Sequence, residues 1–206
     1  MVGRAGVRAG IRGWELIVTE NGSASHMNGH QVAAPLIRIA PELRETMRQF
    51  ATGITVLTTG GDSIHGMTAN AFSSVSLDPP LVLCCVARTA IMHAAITTAR
   101  NFAVSILGAE QEHLARYFTN RQRPRGRAQF DTVRWRPGPH TGAPLLADSL
   151  AWLECQVLHG YDGGDHTIFV GEVLGAGSVS GRTPLLFFGG GYHQVASRVT
   201  EEMHRC

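Results

Sequence analysis

Apolar and polar residues change period several times along this chain, and each change marks an element. Leu43, Met47 and Phe50 recur at i, i+4 and i+7, one face of a helix. Pro41 suits its first turn and Gly53 its stop. Ile54 to Thr59 is a β-branched run and reads as a strand; Gly60-Gly61-Asp62 is a hairpin turn, and Ser63 to Thr68 is the return. A polar stretch of small residues follows: Thr68, Ala69, Asn70, Ala71, Ser73 and Ser74. Asp78-Pro79-Pro80 then forces a turn, and Leu81 to Val86 is an apolar run that reads as a buried strand.

The second half repeats the same grammar. Ala90 to Arg100 is helix-like, Asn101 to Leu107 is a strand, and Gln111 to Phe118 is a short helix. Arg121 to Arg127 is a loop carrying four arginines, which suits a solvated loop or a contact with dinucleotide phosphate. Pro137, Gly138, Pro139, Gly142 and Pro144 predict a rigid irregular link. Ala151 to Tyr161 alternates and reads as a half-buried strand, Asp162-Gly163-Gly164-Asp165 is a hairpin turn, and His166 to Leu174 returns. Gly175 to Gly181 reads as a loose turn and Leu185 to Phe188 as a last strand, with a polar, peripheral C-terminal stretch. Many short strands at hairpin spacing with two or three helices predict an antiparallel barrel, mainly β, with helical insertions.

Length and composition narrow this further. The 206 residues suit one domain plus tails: a mobile tail over residues 1–34, a folded domain over 35–195, and a C-terminal tail over 196–206. A patch at Trp14, Leu16, Ile17 and Val18 could pair as a strand. Hydrophobic content of 44% with 17% charged residues is that of a globular protein, and a net charge of +2 argues against nucleic-acid binding. No apolar run approaches the ~20 residues of a membrane span, and the N-terminus lacks the apolar core of a secretory signal. Cys84, Cys85, Cys155 and Cys206 include no CxxC spacing, so neither a zinc site nor a disulfide framework is expected, and a cytoplasmic location fits.

The usual chemical fingerprints are missing. Gly175-Ala176-Gly177 comes closest to a dinucleotide cradle, but its third glycine would fall on Ser180 and no helix pattern follows. There is no nucleophile elbow, no Walker A loop and no HExxH. What remains is a ledge. Small hydroxyl and amide side chains over Thr68–Ser74 would let a flat ligand approach the backbone, although the same residues suit a plain hairpin. Arg88 and Thr89 precede a helix, where backbone N–H groups favour an anion; Thr89 could equally be an ordinary N-cap. His166 sits at the mouth of a hairpin, where its ring could point over a pocket or simply into solvent.

Taken together, the motifs resemble a known family. GMTANAFSSVSLDPPLVLCCV, residues 66–86, looks like the signature of flavin reductases with the FMN-binding split-barrel fold, the reductase components of two-component flavin-dependent monooxygenases. MRQFATGITV from Met47, NFAVSIL from Asn101, GDHTIFVGEV from Gly164 and LLFFGGGY from Leu185 resemble the family's other strands. The resemblance covers roughly residues 35–195. It departs at Ala71, where members often carry Ser, and after Thr89, where Ala90 and Ile91 stand in place of paired hydroxyls.

The resemblance implies a homodimeric split barrel that binds FMN or FAD and oxidises NADH or NADPH, passing reduced flavin to a monooxygenase. Thr68, Ala69, Asn70 and Ala71 would run along the isoalloxazine edge, and Ser73 and Ser74 would serve its polar rim and ribityl chain. Arg88 and Thr89 would hold the flavin phosphate. His166 would face the nicotinamide, with Tyr192 near it, and would carry the catalytic role. A flavin sensor or carrier without NAD(P)H turnover is the alternative, with a tightly flavin-bound oxidase of the pyridoxamine-phosphate type and a ligand-free barrel behind it.

Overall fold

The computed structural model describes residues 40–195. The two expected tails, with the Trp14–Val18 patch, lie outside the described residues. The rest is mainly β, in antiparallel sheets with three α-helices.

Helix α1 spans Ala40–Met47, and the chain then enters β1 (Thr52–Gly53) and β2 (Thr55–Thr59). β2 is buried on both faces, which its β-branched residues suit: Leu57 joins one apolar cluster and Val56 the other. β3 (His65–Ala69) returns alongside it, and β4 (Phe72–Leu77) and β5 (Pro80–Ala87) form a hairpin across the turn at Asp78–Pro79. Alternation along β5 puts Val82, Cys84 and Val86 inside and leaves Cys85 half-buried, as adjacent strand residues facing opposite ways should be. Helix α2 (Ile91–Ala99) packs Met92, Ala95 and Ile96 against this interior.

β6 (Asn101–Ile106), α3 (Glu112–Thr119), β7 (Trp135–Pro137) and β8 (Pro144–Leu146) follow. Two long strands, β9 (Ala151–Gly163) and β10 (His166–Ser178), form the most extensive pairing. β11 (Leu185–Phe188) and β12 (Gly191–Gln194) complete the described chain. The large sheet has the order β3-β2-β6-β9-β10-β5-β4, and a second sheet has the order β1-β11-β12.

That order has a geometric consequence. β3 and β4 lie at opposite edges of seven strands, yet only Asn70 and Ala71 separate them in sequence. A flat sheet would hold those edges about 29 Å apart. Three Cα–Cα steps reach about 11 Å. The sheet therefore curves enough to bring the end of β3 and the start of β4 within that reach, and the Cys85 N–H extends the β4–β5 ladder by donating to the Ala71 carbonyl at 2.9 Å.

Several expectations are corrected. α1 ends at Met47, well before Gly53, and Leu43, Met47 and Phe50 are exposed, so their shared face covers nothing within the described residues. Gly175 to Gly181 is not a loose turn: β10 runs on to Ser178. Gly175 and Gly177 are there for packing, since a Cβ on Gly177 would stand 2.7 Å from the Trp152 ring and one on Gly175 2.9 Å from His140, and only Gly181, with φ of +81°, sits in a turn. The Pro/Gly-rich link contains β7 and β8, and the polar stretch after Phe188 forms β12, two short pairings that periodicity could not register. Thr89 does not cap α2; Ala90 holds that position with no side-chain hydrogen bond.

Candidate functional site

The residues singled out in the sequence fall into two groups on the curved sheet. The first is the link between its edges. Asn70 and Ala71 are exposed, and their backbone N–H groups have no hydrogen-bond partner among the described residues. The Asn70 side chain donates from Nδ2 to Thr52 Oγ1 at 3.3 Å. Thr52 pairs with Phe187, and Phe187 pairs with Tyr192, so Thr52, which carries the Asn70 side chain, lies two strand spacings or about 10 Å from Tyr192 at the backbone. Tyr192 is half-buried, edge-on to Phe187 and beneath the Arg116 guanidinium at 4.9 Å. No hydrogen bond or ring contact joins it to His166 among the described residues.

Thr68 and Ala69 do less at this surface than their position in the sequence suggests. The Thr68 hydroxyl donates to the Ala115 carbonyl of α3 at 2.7 Å, and the Ala69 carbonyl accepts from Thr55 Oγ1 at 2.8 Å. Both bonds brace β3, so Thr68 acts first as a strut. Gly66, which opens the motif, serves packing too: a Cβ there would lie 2.5 Å from the Phe118 ring. Ser73 and Ser74 are exposed on the edge strand β4, with the Ser73 hydroxyl donating to the Ser74 carbonyl at 3.0 Å.

The second group is the junction of β5, α2 and the β9–β10 hairpin. Register places His166 opposite Ala87, so Arg88 and Thr89 emerge beside the hairpin. The Arg88 N–H donates to the Asp165 carbonyl at 3.0 Å, and its guanidinium donates from Nη2 to Asp162 Oδ1 at 2.5 Å. That bond, together with the Gly164 N–H, holds the Asp162 carboxyl below the usual carboxylate range. His166 Nδ1 lies 2.7 Å from Asp165 Oδ1. The ionised carboxylate only accepts, so Nδ1 carries the proton and Nε2 is the free nitrogen. The His166 hydrogen bond likewise lowers the Asp165 pKa. Thr89 is exposed, and α2 begins with no side chain capping its first amides.

The sequence reading missed Asp162, Asp165 and Thr52. Asp162 and Asp165 were read only as turn residues, and nothing local signals that residue 162 pairs with a residue 74 positions earlier. Thr52 lies within the MRQFATGITV stretch, but no role is read for it there, and only the pairing of Thr55 with Ala69 brings it within reach of the Asn70 side chain.

This donor set fits a flavin and a phosphate. The unpaired amides of Asn70 and Ala71 suit a flat, electron-accepting heterocycle, and the uncapped α2 start with the Arg88 guanidinium suits an anionic tail. The surface is open rather than enclosed. A cleft of about 640 Å³ lies elsewhere, bordered by Gln111, His113, Arg134, Asp148 and Arg182, and it contains none of these residues.

Comparison with known proteins agrees with that chemistry. Residues 47–196 match the model of the flavin reductase like domain. An NADH-dependent FAD reductase from Streptomyces globisporus is 50% identical over 160 residues, covering 78% of this chain and 88% of that protein. The NADH-dependent flavin reductase StyB from Pseudomonas fluorescens is 37% identical over 158 residues, covering 73% of this chain and 86% of that protein. Among solved structures, BorF, the flavin reductase component of a bacterial two-component tryptophan halogenase, superposes with a TM-score of 0.74 at 48% identity, covering 77% of this chain and 99% of BorF.

Proposed function

The chain belongs to the flavin reductase like domain family, and from that premise we propose that it reduces FMN or FAD with NADH and supplies the reduced flavin to a partner monooxygenase. One observation carries the reading: the exposed N–H groups of Asn70 and Ala71 lie where β3 passes to β4, on an open surface. A bound flavin supplies the ring that accepts a hydride from the nicotinamide.

The chain's own part is positioning and charge. Amides near Asn70 oppose the negative charge that builds on the acceptor ring, an electrostatic contribution that needs no side-chain proton. Ala71 offers only its backbone, Ser73 and Ser74 offer hydroxyls, and Arg88 and Thr89 hold the phosphate end. His166 presents Nε2 toward the nicotinamide carboxamide while Asp165 fixes its tautomer. Tyr192 closes the far side of the surface, across Phe187 from Thr52.

The curvature of the seven-stranded sheet supports a split barrel, with the split at β3 and β4. Exposed Leu43, Met47, Phe50, Val75 and Leu77 support a homodimer that covers them. Three free thiols, Cys84, Cys85 and Cys155, suit a reducing cytoplasm. No helix among the described residues is long and apolar enough to cross a membrane.

The test is steady-state NADH oxidation with FMN, FAD, riboflavin or no flavin added. Turnover should require added flavin. Absence of turnover with every flavin would overturn the reading in favour of a sensor or carrier.

A further inference from the structure

The tip of the β9–β10 hairpin, residues 162–166, ties Arg88 and His166 together. Asp162 lies near the end of β9, opposite Thr167, and Asp165 is in the two-residue turn that leads into β10. Asp162 takes the Arg88 guanidinium, while Asp165 takes the Arg88 N–H through its carbonyl and His166 Nδ1 through its carboxylate. The pairing with Asp162 spans 74 residues of sequence and is made at the tip of an exposed hairpin.

We infer that Asp162 is an affinity-setting residue, an internal stand-in for the flavin phosphate that occupies Arg88 when the site is empty and must yield when FMN or FAD binds. This rests on the assignment of Arg88 to the phosphate. An exposed guanidinium already paired with a carboxylate offers an incoming phosphate only the difference between two anions. The Asp162 charge also remains beside the bound phosphate and repels it. The binding is weaker as a result, which suits an enzyme whose product must leave.

A second consequence concerns the hairpin. When phosphate takes Arg88, the side-chain tie that holds residue 162 against β5 is released, while the backbone bond from Arg88 to Asp165 and the Asp165–His166 bond stay. The tip of the turn loosens, and His166 keeps its tautomer and its place opposite Ala87.

Asp162→Asn is a clean probe. Its Oδ1 can still accept from the Gly164 N–H, so the turn is retained, while the charge is lost. Flavin affinity would be measured by fluorescence quenching for the parent, Asp162→Asn, Asp162→Glu, Arg88→Ala and the Arg88→Ala/Asp162→Asn double variant, each with FMN and with riboflavin.

Asp162→Asn should tighten FMN about threefold, the size of effect exposed ion pairs have, and leave riboflavin unchanged. Asp162→Glu, which keeps the charge, should bind FMN as the parent does. In the Arg88→Ala background the Asp162→Asn gain should vanish. Unchanged FMN affinity in Asp162→Asn, equal tightening of riboflavin, or a gain that persists without Arg88 would each overturn the inference. Loss of FMN and riboflavin affinity by the same factor in Arg88→Ala would instead overturn the phosphate assignment beneath it. An Arg88→Ala loss confined to FMN, with no response to Asp162→Asn, would leave that assignment standing and remove only the role of Asp162.

Discussion

Two polar clusters in this molecule use the same kinds of side chain to opposite ends. One lies where β9 runs beside the Pro/Gly-rich link. Glu154 is fully buried there, and its Oε1 accepts from the N–H groups of His140 and Thr141 at 3.1 and 2.8 Å and from the Thr141 hydroxyl at 2.7 Å. The other is the exposed set of Arg88, Asp162, Asp165 and His166. In the first, the carboxylate is sealed in and ties a loop to the sheet. In the second, the ion pair stays in water, where a ligand can compete for either partner. Burial, not residue type, separates a carboxylate locked into structure from one that a ligand can reach here.

The sharpest way to break that contrast is to cut the buried cluster. Glu154→Ala leaves two amides and a hydroxyl without their acceptor in a dry site, and should cost about 3 kcal/mol of stability. On a domain of this size that is a drop in Tm of about 10 °C. Activity per folded molecule should stay near the parent's. A large loss of activity with unchanged Tm would show that Glu154 belongs to the site.

The reverse experiment cuts the exposed cluster. Arg88→Ala should weaken FMN about tenfold, since charge-assisted bonds to phosphate are the strong ones, with riboflavin affinity and Tm little changed. A Tm loss as large as that of Glu154→Ala would mean the two clusters do not differ in kind. His166→Ala should slow NADH-dependent reduction several-fold in stopped-flow traces while flavin affinity holds. Equal reduction rates would remove His166 from the reaction.

The smallest effect concerns pH. His65 is buried against Gln129 and Arg123. Burial, then the Arg123 and Arg125 charges, pushes its pKa down from 6.5 to about 4. Above pH 6.5 His65 is neutral in both states and adds no pH dependence. As pH falls from 6.5 toward about 4, the unfolded chain takes up a proton that the folded chain refuses, so stability falls across that window. Urea midpoints at about pH 7 and about pH 5 should differ less for His65→Gln than for the parent. Equal differences would show that His65 is not buried as described.

How far the sequence carries the fold can be judged element by element. β2, β5, β6, β9 and β11 were legible because β-branched and apolar runs bounded by Gly or Pro have few other uses. β7, β8 and β12 were not: each is three or four residues long, too short to show a period, and Pro and Gly in and around them read as turn residues. The exposed face of α1 shows the opposite failure, since a correct helical period says nothing about what covers it.

The candidate site was legible in the same uneven way. Asn70 and Ala71 could be named from composition, but their importance comes from topology, as the two-residue bridge between the edges of a curved sheet. Arg88 could be named from its place before a helix. Its occupied state could not, because Asp162 lies 74 residues away. Arg123 shows the limit from the other side. It sits in a loop that reads as solvated, yet its guanidinium stacks over Phe118 at 5.6 Å and donates to the Gly66 carbonyl, so one arginine of that run is structural.

Amide hydrogen exchange with and without saturating FMN tests most directly whether the exposed end carries function and the buried end carries structure. Protection should rise at residues 69–74 and at the start of α2, residues 89–93, with residues 138–154 and 123–129 unchanged. Protection that rises at 138–154 or 123–129 while 69–74 and 89–93 stay as they were would contradict it.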